Sequence, residues 1–483
     1  MAPPRTFWIL LAALLILLAP RLSMAQGWGE ESGNEWGEED PSGWGELPPA
    51  EEEEEPEAGP AAEPDRSSET SQPKEPSPEE IKIDLVFSDR KGLALEAPGF
   101  RLGIHTLLQT DLWLFETGDY QSNTFLFRRA YVGVSGTFDE WLRWKVEYDL
   151  ADTSGTIAQG LQDTFIEGIV EGTPLAVRAG YFKPAVTAEE FRVSTRFITF
   201  LERSSHVTDL FPGRRPGLMV ELRSSWEKKG PPRVRGWLGV HNGNAGPFVN
   251  FNNDWGLSLM AEAVPVMTKT MFLQAGVSTW LAYHENLNTW TANSPEGAVR
   301  FVDAYDAGGL EQIHGFHVHF HFDRFAAMFE YTFGIQQRKV EVLFPTQRWE
   351  NYAPLRASGY HLDFCVMLWA PEGKPRRNVG FNRGLEVCAR FERLEMNNIN
   401  RGTAARLPDS PATNAVNLLG GRMGACTLGV NWYITRRARA GFNMITEWFE
   451  LESDGNLYVL ERDHQPRTGG PRFVWALRFQ VFL

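Results

Sequence analysis

The strongest constraint in this chain is period-two alternation, sustained over segments of about ten residues. From Trp141 to Leu150, the side chains of Leu142, Trp144, Val146, Tyr148 and Leu150 share one face of an extended strand, and Arg143, Lys145, Glu147 and Asp149 share the other. Leu385, Val387, Ala389 and Phe391 oppose Glu386, Cys388 and Arg390 in the same way. Phe329, Tyr331, Phe333 and Ile335 oppose Met328, Glu330, Thr332 and Gln336. A last apolar face, Trp475, Leu477, Phe479, Val481 and Leu483, runs to the final residue. Helical periodicity is weak throughout.

A soluble sheet also alternates, but three features point to a barrel in lipid. The segments are long enough for a tilted strand to cross a bilayer. They are numerous and recur to the end. Their joints also alternate between short ones (137–140, 171–174, 323–325, 435–438) and long ones (184–215, 284–311, 340–356, 398–415). Candidate strands begin near Arg101, Thr124, Trp141, Leu161, Leu175, Pro216, Arg233, Asp254, Thr270, Gln312, Ala326, Ala357, Gly384, Val416, Ala438 and Gly470. The expectation is an all-β transmembrane antiparallel barrel of about sixteen strands over residues 101–483, with both termini in the periplasm.

The first 100 residues differ. Thr6 to Pro20 is an apolar run behind a short basic start, and Ser23-Met24-Ala25 offers a small-residue cleavage site. Residues 1–25 therefore read as a signal peptide, the alternative being an uncleaved anchor too short to span comfortably. Residues 1–80 hold 4 basic and 19 acidic side chains and account for the whole net charge of −15. The remaining 403 residues carry 43 of each sign. Residues 26–80, rich in Glu, Pro, Gly and Ser, read as a disordered acidic tail, with 81–100 as a lead-in. Trp28-Gly29-Glu30, Trp36-Gly37-Glu38 and Trp44-Gly45-Glu46 recur in that tail. The repeat reads either as a binding motif for a periplasmic partner, multiplied for avidity, or as low-complexity drift. Three cysteines, Cys365, Cys388 and Cys426, make no disulfide framework. Cys365 and Cys388 could pair across adjacent strands, and three buried or lumenal thiols is the alternative.

Five ordered stretches resemble the phosphate-selective porin O and P family. They are Phe127-Arg128-Arg129-Ala130-Tyr131 through Gly136, Gly180-Tyr181-Phe182-Lys183-Pro184 continuing through Phe197 to Ser204, Gly384 to Phe391, Leu428 to Tyr433, and Leu477 to Gln480. The likeness covers roughly residues 90–483 and leaves out the tail. It implies a sixteen-stranded barrel in outer-membrane lipid, a homotrimer, and passage of small anions such as phosphate or polyphosphate through a basic pore. It does not settle the solute.

The long joint from Pro184 to Arg215 is the third on the long-loop side, the loop that folds into the lumen of sixteen-stranded porins. It holds Arg192, Arg196, Arg203, Arg214 and Arg215, with Lys183 at its root, beside Glu189, Glu190, Glu202 and Asp209. Guanidinium groups match oxyanions by bidentate bonding. The bland alternative is that these arginines pair with the loop's own acids. Strict alternation puts Arg129 on the lumen face with Tyr131, Gly133 and Ser135. It puts Arg128 with Leu126, Ala130, Val132 and Val134 on the lipid face, which would require a place near the rim. The resemblance adds that the double arginine contributes to a basic constriction, with Asp163, Lys183 and Arg196 at positions where further constriction residues lie.

His317, His319 and His321 share one face between Phe316, Val318, Phe320 and Phe322. They are weak candidates for zinc or copper, their spacing along a strand being wide for one ion; a row of neutral lumen groups is the ordinary reading. No nucleophile–base pair, phosphate loop or metal signature suggests an enzyme, a cofactor or a nucleic-acid partner. Two further readings stay open beside the anion porin: a general, weakly selective porin, and a structural tether acting through the acidic tail.

Overall fold

The computed structural model describes residues 83–88, 92–116, 123–139, 141–151, 160–170, 173–224, 233–243, 254–268, 270–293, 300–342, 348–370, 383–396, 421–435, 437–451 and 471–482. The signal peptide and the Trp-Gly-Glu repeats expected from the sequence lie outside these residues.

Eighteen strands form one sheet. A hairpin comes first, β1 (Asp84–Ser88) and β2 (Gly92–Ala97). The ring follows: β3 (Phe100–Phe115), β4 (Thr124–Phe138), β5 (Leu142–Asp149), β6 (Leu161–Val170), β7 (Leu175–Phe182) and β8 (Arg215–Arg223). It continues with β9 (Val234–Asn242), β10 (Trp255–Met267), β11 (Met271–Asn293), β12 (Arg300–Phe322) and β13 (Phe325–Val342). The last are β14 (Arg348–Trp369), β15 (Gly384–Met396), β16 (Gly421–Thr435), β17 (Ala438–Leu451) and β18 (Arg472–Phe482). Each strand from β3 onward pairs antiparallel with the next, and β18 pairs with β3. The result is a closed sixteen-stranded barrel without free edges.

The wall is inside-out relative to a soluble protein. Val132, Val146, Ile166, Leu218, Val240, Phe316, Tyr331, Phe364, Leu428, Phe479 and Val481 are exposed, whereas Lys145, Glu147, Glu262, Glu330, Asp363, Arg390 and Arg478 are buried in the interior. An apolar exterior over a charged interior is what lipid selects. The short turns at β4–β5 and β12–β13 place Asp139 and Asp323 at φ of 42° and 48°, a left-handed conformation that Asp tolerates.

Two expectations are corrected. Long loops at 284–311 and 340–356 are mostly strand: β11 and β12 pair as far as Asn293↔Arg300, and β13 and β14 as far as Val342↔Arg348. Backbone pairing continues there through polar residues and register shifts, without the alternation that marks the lipid-facing part. The hairpin β1–β2 also has no counterpart in the alternation pattern. β2 pairs with Phe100–Ile104 of β3, and β18 pairs with Leu107–Phe115 of the same strand. The hairpin thus covers the part of β3 that β18 is too short to reach.

The segment between β7 and β8, residues 183–214, turns inward. It carries two short helices, α1 (Ala188–Phe191) and α2 (Ser205–Leu210). At its root Gly180 sits at φ +142°, and a Cβ there would lie 2.3 Å from the Thr164 carbonyl oxygen, so only glycine fits. The inward segment is seated on the wall by apolar contacts. Ala185 and Phe191 pack with Phe165, Phe182, Met219, Trp237 and Met260. Val186 packs with Trp280, Ala282 and Ile313. Phe200 meets Ala326, Cys365 and Cys388, and Leu201 and Leu210 join Leu355, Leu394 and Ile445.

Candidate functional site

Neither helix of the inward loop is capped by its own N-cap side chain, Thr187 or Ser204. Wall carboxylates take that role. The backbone N–H groups of Ala188 and Glu189 donate to Glu330 at 2.6 and 2.9 Å, and that of Ser205 donates to Glu392 at 2.9 Å. Wall donors in turn hold the loop's carbonyls. Arg439 donates to Ile198, Asn431 to Thr199, Arg478 to Leu201, Arg390 to Glu202 and Gln480 to Arg196. The loop is therefore fixed in place by hydrogen bonds from several strands.

Glu202 is the hub of its charge network. It lies 2.8 Å from Arg128, 2.9 Å from Arg129 and 2.8 Å from Arg478. Burial pushes its carboxyl up, but Arg129, Arg128 and Arg478 together hold it well below the usual range. Glu189 behaves alike: burial opposes its charge, and Arg390, with which it pairs, prevails.

The double arginine corrects the alternation reading. Gln109 of β3 pairs with Arg129 and Thr110 pairs with Phe127, so Arg128 has no residue opposite. A β-bulge at this point lets two consecutive side chains point inward. Phe125 and Phe127 are exposed outside, whereas Leu126 packs on the inner apolar cluster. Arg128 consequently faces inward, toward Glu202, and not lipid. Arg129 also donates to Gln109 at 2.8 Å.

The other basic residues form a chain of ion pairs along β5–β8 and the loop. Arg196 lies 4.0 Å from Glu147, which lies 3.4 Å from Lys145. Lys145 lies 3.6 Å from Asp163, and Asp163 accepts from Arg214 at 2.7 Å. Lys183 and Arg203 share Glu190, at 2.8 and 2.7 Å. Five cations thus face three carboxylates, a local excess of positive charge. Arg196 and Arg214 keep partial contact with solvent, whereas Lys145, Lys183 and Arg203 are buried. Burial, opposed by Glu190, brings the Lys183 ammonium down to about 8. Arg192 stands apart, 3.2 Å from Glu262 and over the Trp237 ring. Its Nη1, and the Nε of Arg215, are buried with no hydrogen-bond partner among the described residues.

All seven residues singled out from the sequence, Arg128, Arg129, Asp163, Lys183, Arg192, Arg196 and Arg203, lie on the inner side of the wall or on the inward loop. Lys145, Glu147 and Arg478 belong to the same networks and were not singled out. Their signal was present, since each lies on the polar face of an alternating strand. The histidine row does face inward, but His317 is committed to Glu262 at 3.1 Å. Among the described residues, no cluster with metal-ligand spacing includes His317, His319 or His321.

Residues 107–227 match the family model described as phosphate-selective porin O and P, in agreement with the sequence resemblance. No curated protein matches the chain in sequence. Among solved structures, it is similar to outer-membrane-expressed OmpT of Vibrio cholerae, at 10% identity and a TM-score of 0.46, covering 83% of this chain and 100% of that one. It is similar to an anion-selective porin from Comamonas acidovorans, at 8% identity and a TM-score of 0.43, covering 80% and 100%. The outer membrane channel DcaP of Acinetobacter baumannii gives 9% identity and a TM-score of 0.47, covering 80% and 98%. The family match and the closed, inside-out barrel make the chain an outer-membrane channel protein.

Proposed function

We propose that this member of the phosphate-selective porin O and P family passes small anions by diffusion, through the gap between the inward loop and the β5–β8 wall. The observation that carries this reading is the excess of cations in the chain from Arg196 to Arg214 and Lys183. Inside a low-dielectric wall, a small excess of fixed charge sets the sign of the permeant ion. Arg196 and Arg214 keep solvent contact, so their guanidinium donors are open to an oxyanion. Phosphate and polyphosphate fit that chemistry. The chemistry is binding and desolvation only, with no bond made or broken. The wide apolar outer wall and the family resemblance support a homotrimer whose barrels meet side by side in lipid.

The test is a reversal potential measured on the purified protein in a planar bilayer under a potassium chloride gradient. An anion-selective potential, with chloride current reduced on adding inorganic phosphate, supports the reading. A potential near zero favours the general porin, for which the equal numbers of basic and acidic side chains over residues 81–483 speak.

A further inference from the structure

We infer that Cys365, Cys388 and Glu386 form a site for a thiophilic divalent ion of the zinc class, set in the wall directly beneath the inward loop. The two cysteines face each other in the ladder of β14 and β15, Cys365↔Cys388. Glu386 is two residues before Cys388 and so shares its lumen face. The two sulfurs and one carboxylate oxygen lie within 4.8 Å of one another, and all three residues are buried. Two thiolates and a carboxylate are a ligand set that zinc accepts. Zn–S bonds of about 2.3 Å place tetrahedral sulfurs about 3.8 Å apart, so side-chain adjustment alone closes the site.

The groups around the site orient it. Asn431 Nδ2 and Tyr433 Oη donate to Glu386 at 3.2 and 3.0 Å, and both bonds fall on Oε2. These two bonds fix the direction of the carboxylate, as outer ligand partners do in metal centres. Phe200 of the inward loop belongs to one buried apolar cluster with both cysteines. Binding displaces one proton from each thiol to solvent, and affinity therefore falls with acid. The three negative ligands leave one net negative charge on the bound ion. Coordination ties β14 to β15 under Phe200 and so stiffens the seat of the loop that narrows the channel. None of this depends on which solute the channel carries.

The experiment titrates Cd2+ and Zn2+ into the full barrel in detergent, extracted from membranes without reductant. The thiolate-to-cadmium charge-transfer absorbance and channel current are followed. One Cd2+ per chain is expected, displaced by excess Zn2+ and unaffected by Cys426→Ser. Cys388→Ser should abolish the band. Glu386→Gln and Tyr433→Phe should each weaken Cd2+ at least tenfold with the barrel still resistant to unfolding, which a merely structural role would not produce. Should Cys388→Ser fail to fold, Glu386→Gln decides alone. The inference is overturned if the band survives Cys388→Ser, if Glu386→Gln binds as tightly as the parent, or if no band forms. It is also overturned if intact mass shows the extracted chain two hydrogens lighter through a Cys365–Cys388 disulfide.

Discussion

Glu202 and Arg129 meet at 2.9 Å inside the barrel, joining the inward loop to β4. Arg128 and Arg478 converge on the same carboxylate. Removing its charge strands three guanidinium groups. Breaking a buried pair from one side costs about 3–5 kcal/mol, and Arg128 keeps water, so Glu202→Gln should cost about 3 kcal/mol. The check is the unfolding midpoint in detergent. The same variant should conduct with larger, noisier openings, because the loop loses its hub. An unchanged midpoint with unchanged conductance would mean the loop rests on its apolar seats alone.

The bulge makes its own prediction. In a Cys426→Ser background, Arg128→Cys and Arg129→Cys should both react with a charged, water-soluble thiol reagent that enters the channel. Phe127→Cys should react only with a bilayer-dissolved one. Regular alternation would instead give Phe127 and Arg129 the same reagent.

Lys183 supplies the pH dependence. Its ammonium is brought from its ordinary 10.5 to about 8, first by burial, with Glu190 opposing. As pH rises through about 8 the residue loses its charge, and the local excess of cations falls by one. Anion preference should therefore decline between about pH 7 and 9, and Lys183→Arg should flatten the decline. The stability sign is opposite. Between about 8 and 10.5 the unfolded chain binds the proton that the folded chain has released, so this residue's contribution makes the barrel more stable as pH rises. A reversal potential that is flat across this range in the parent protein would remove Lys183 from the conducting path.

The barrel was legible because lipid imposes a rule on every crossing strand, and a rule of period two survives in sequence. Thr124, Leu161, Leu175, Gly384 and Ala438 open strands where the alternation places them. The pattern fails where lipid makes no demand. β11 and β12 continue past the apolar zone as a polar ladder, which composition reads as loop. It also fails at Arg128, where one extra residue shifts the face of every residue before it. The inward loop was legible as a long gap rich in arginine. Its fixation was not, because the partners of Glu202, Glu189 and Arg192 come from strands far along the chain: Arg478, Arg390 and Glu262. Long-range pairs leave no spacing to read.

Selectivity gives the sharpest test. Arg129 is a poor site for it, because a carboxylate there would face Glu202 and unseat the loop. Arg196 is better. It is partly open to solvent, its nearest carboxylate is Glu147 at 4.0 Å, and its only ring contact is with Phe482 at 5.9 Å among the described residues. Arg196→Glu changes the local charge by two units and, with so loose an ion pair to lose, should leave the unfolding midpoint close to that of the parent. At ~0.1 M salt the Debye length is ~10 Å, comparable to a narrow pore, so the change should be felt across the gap. Anion preference should fall steeply, most at low salt. Arg324→Glu is the matched control, the same charge change on an exposed side chain in the β12–β13 turn. It should barely move the reversal potential. Equal shifts from both variants would mean that the channel reads surface charge and has no selective gap, and no shift from either would transfer the chain to the general porins.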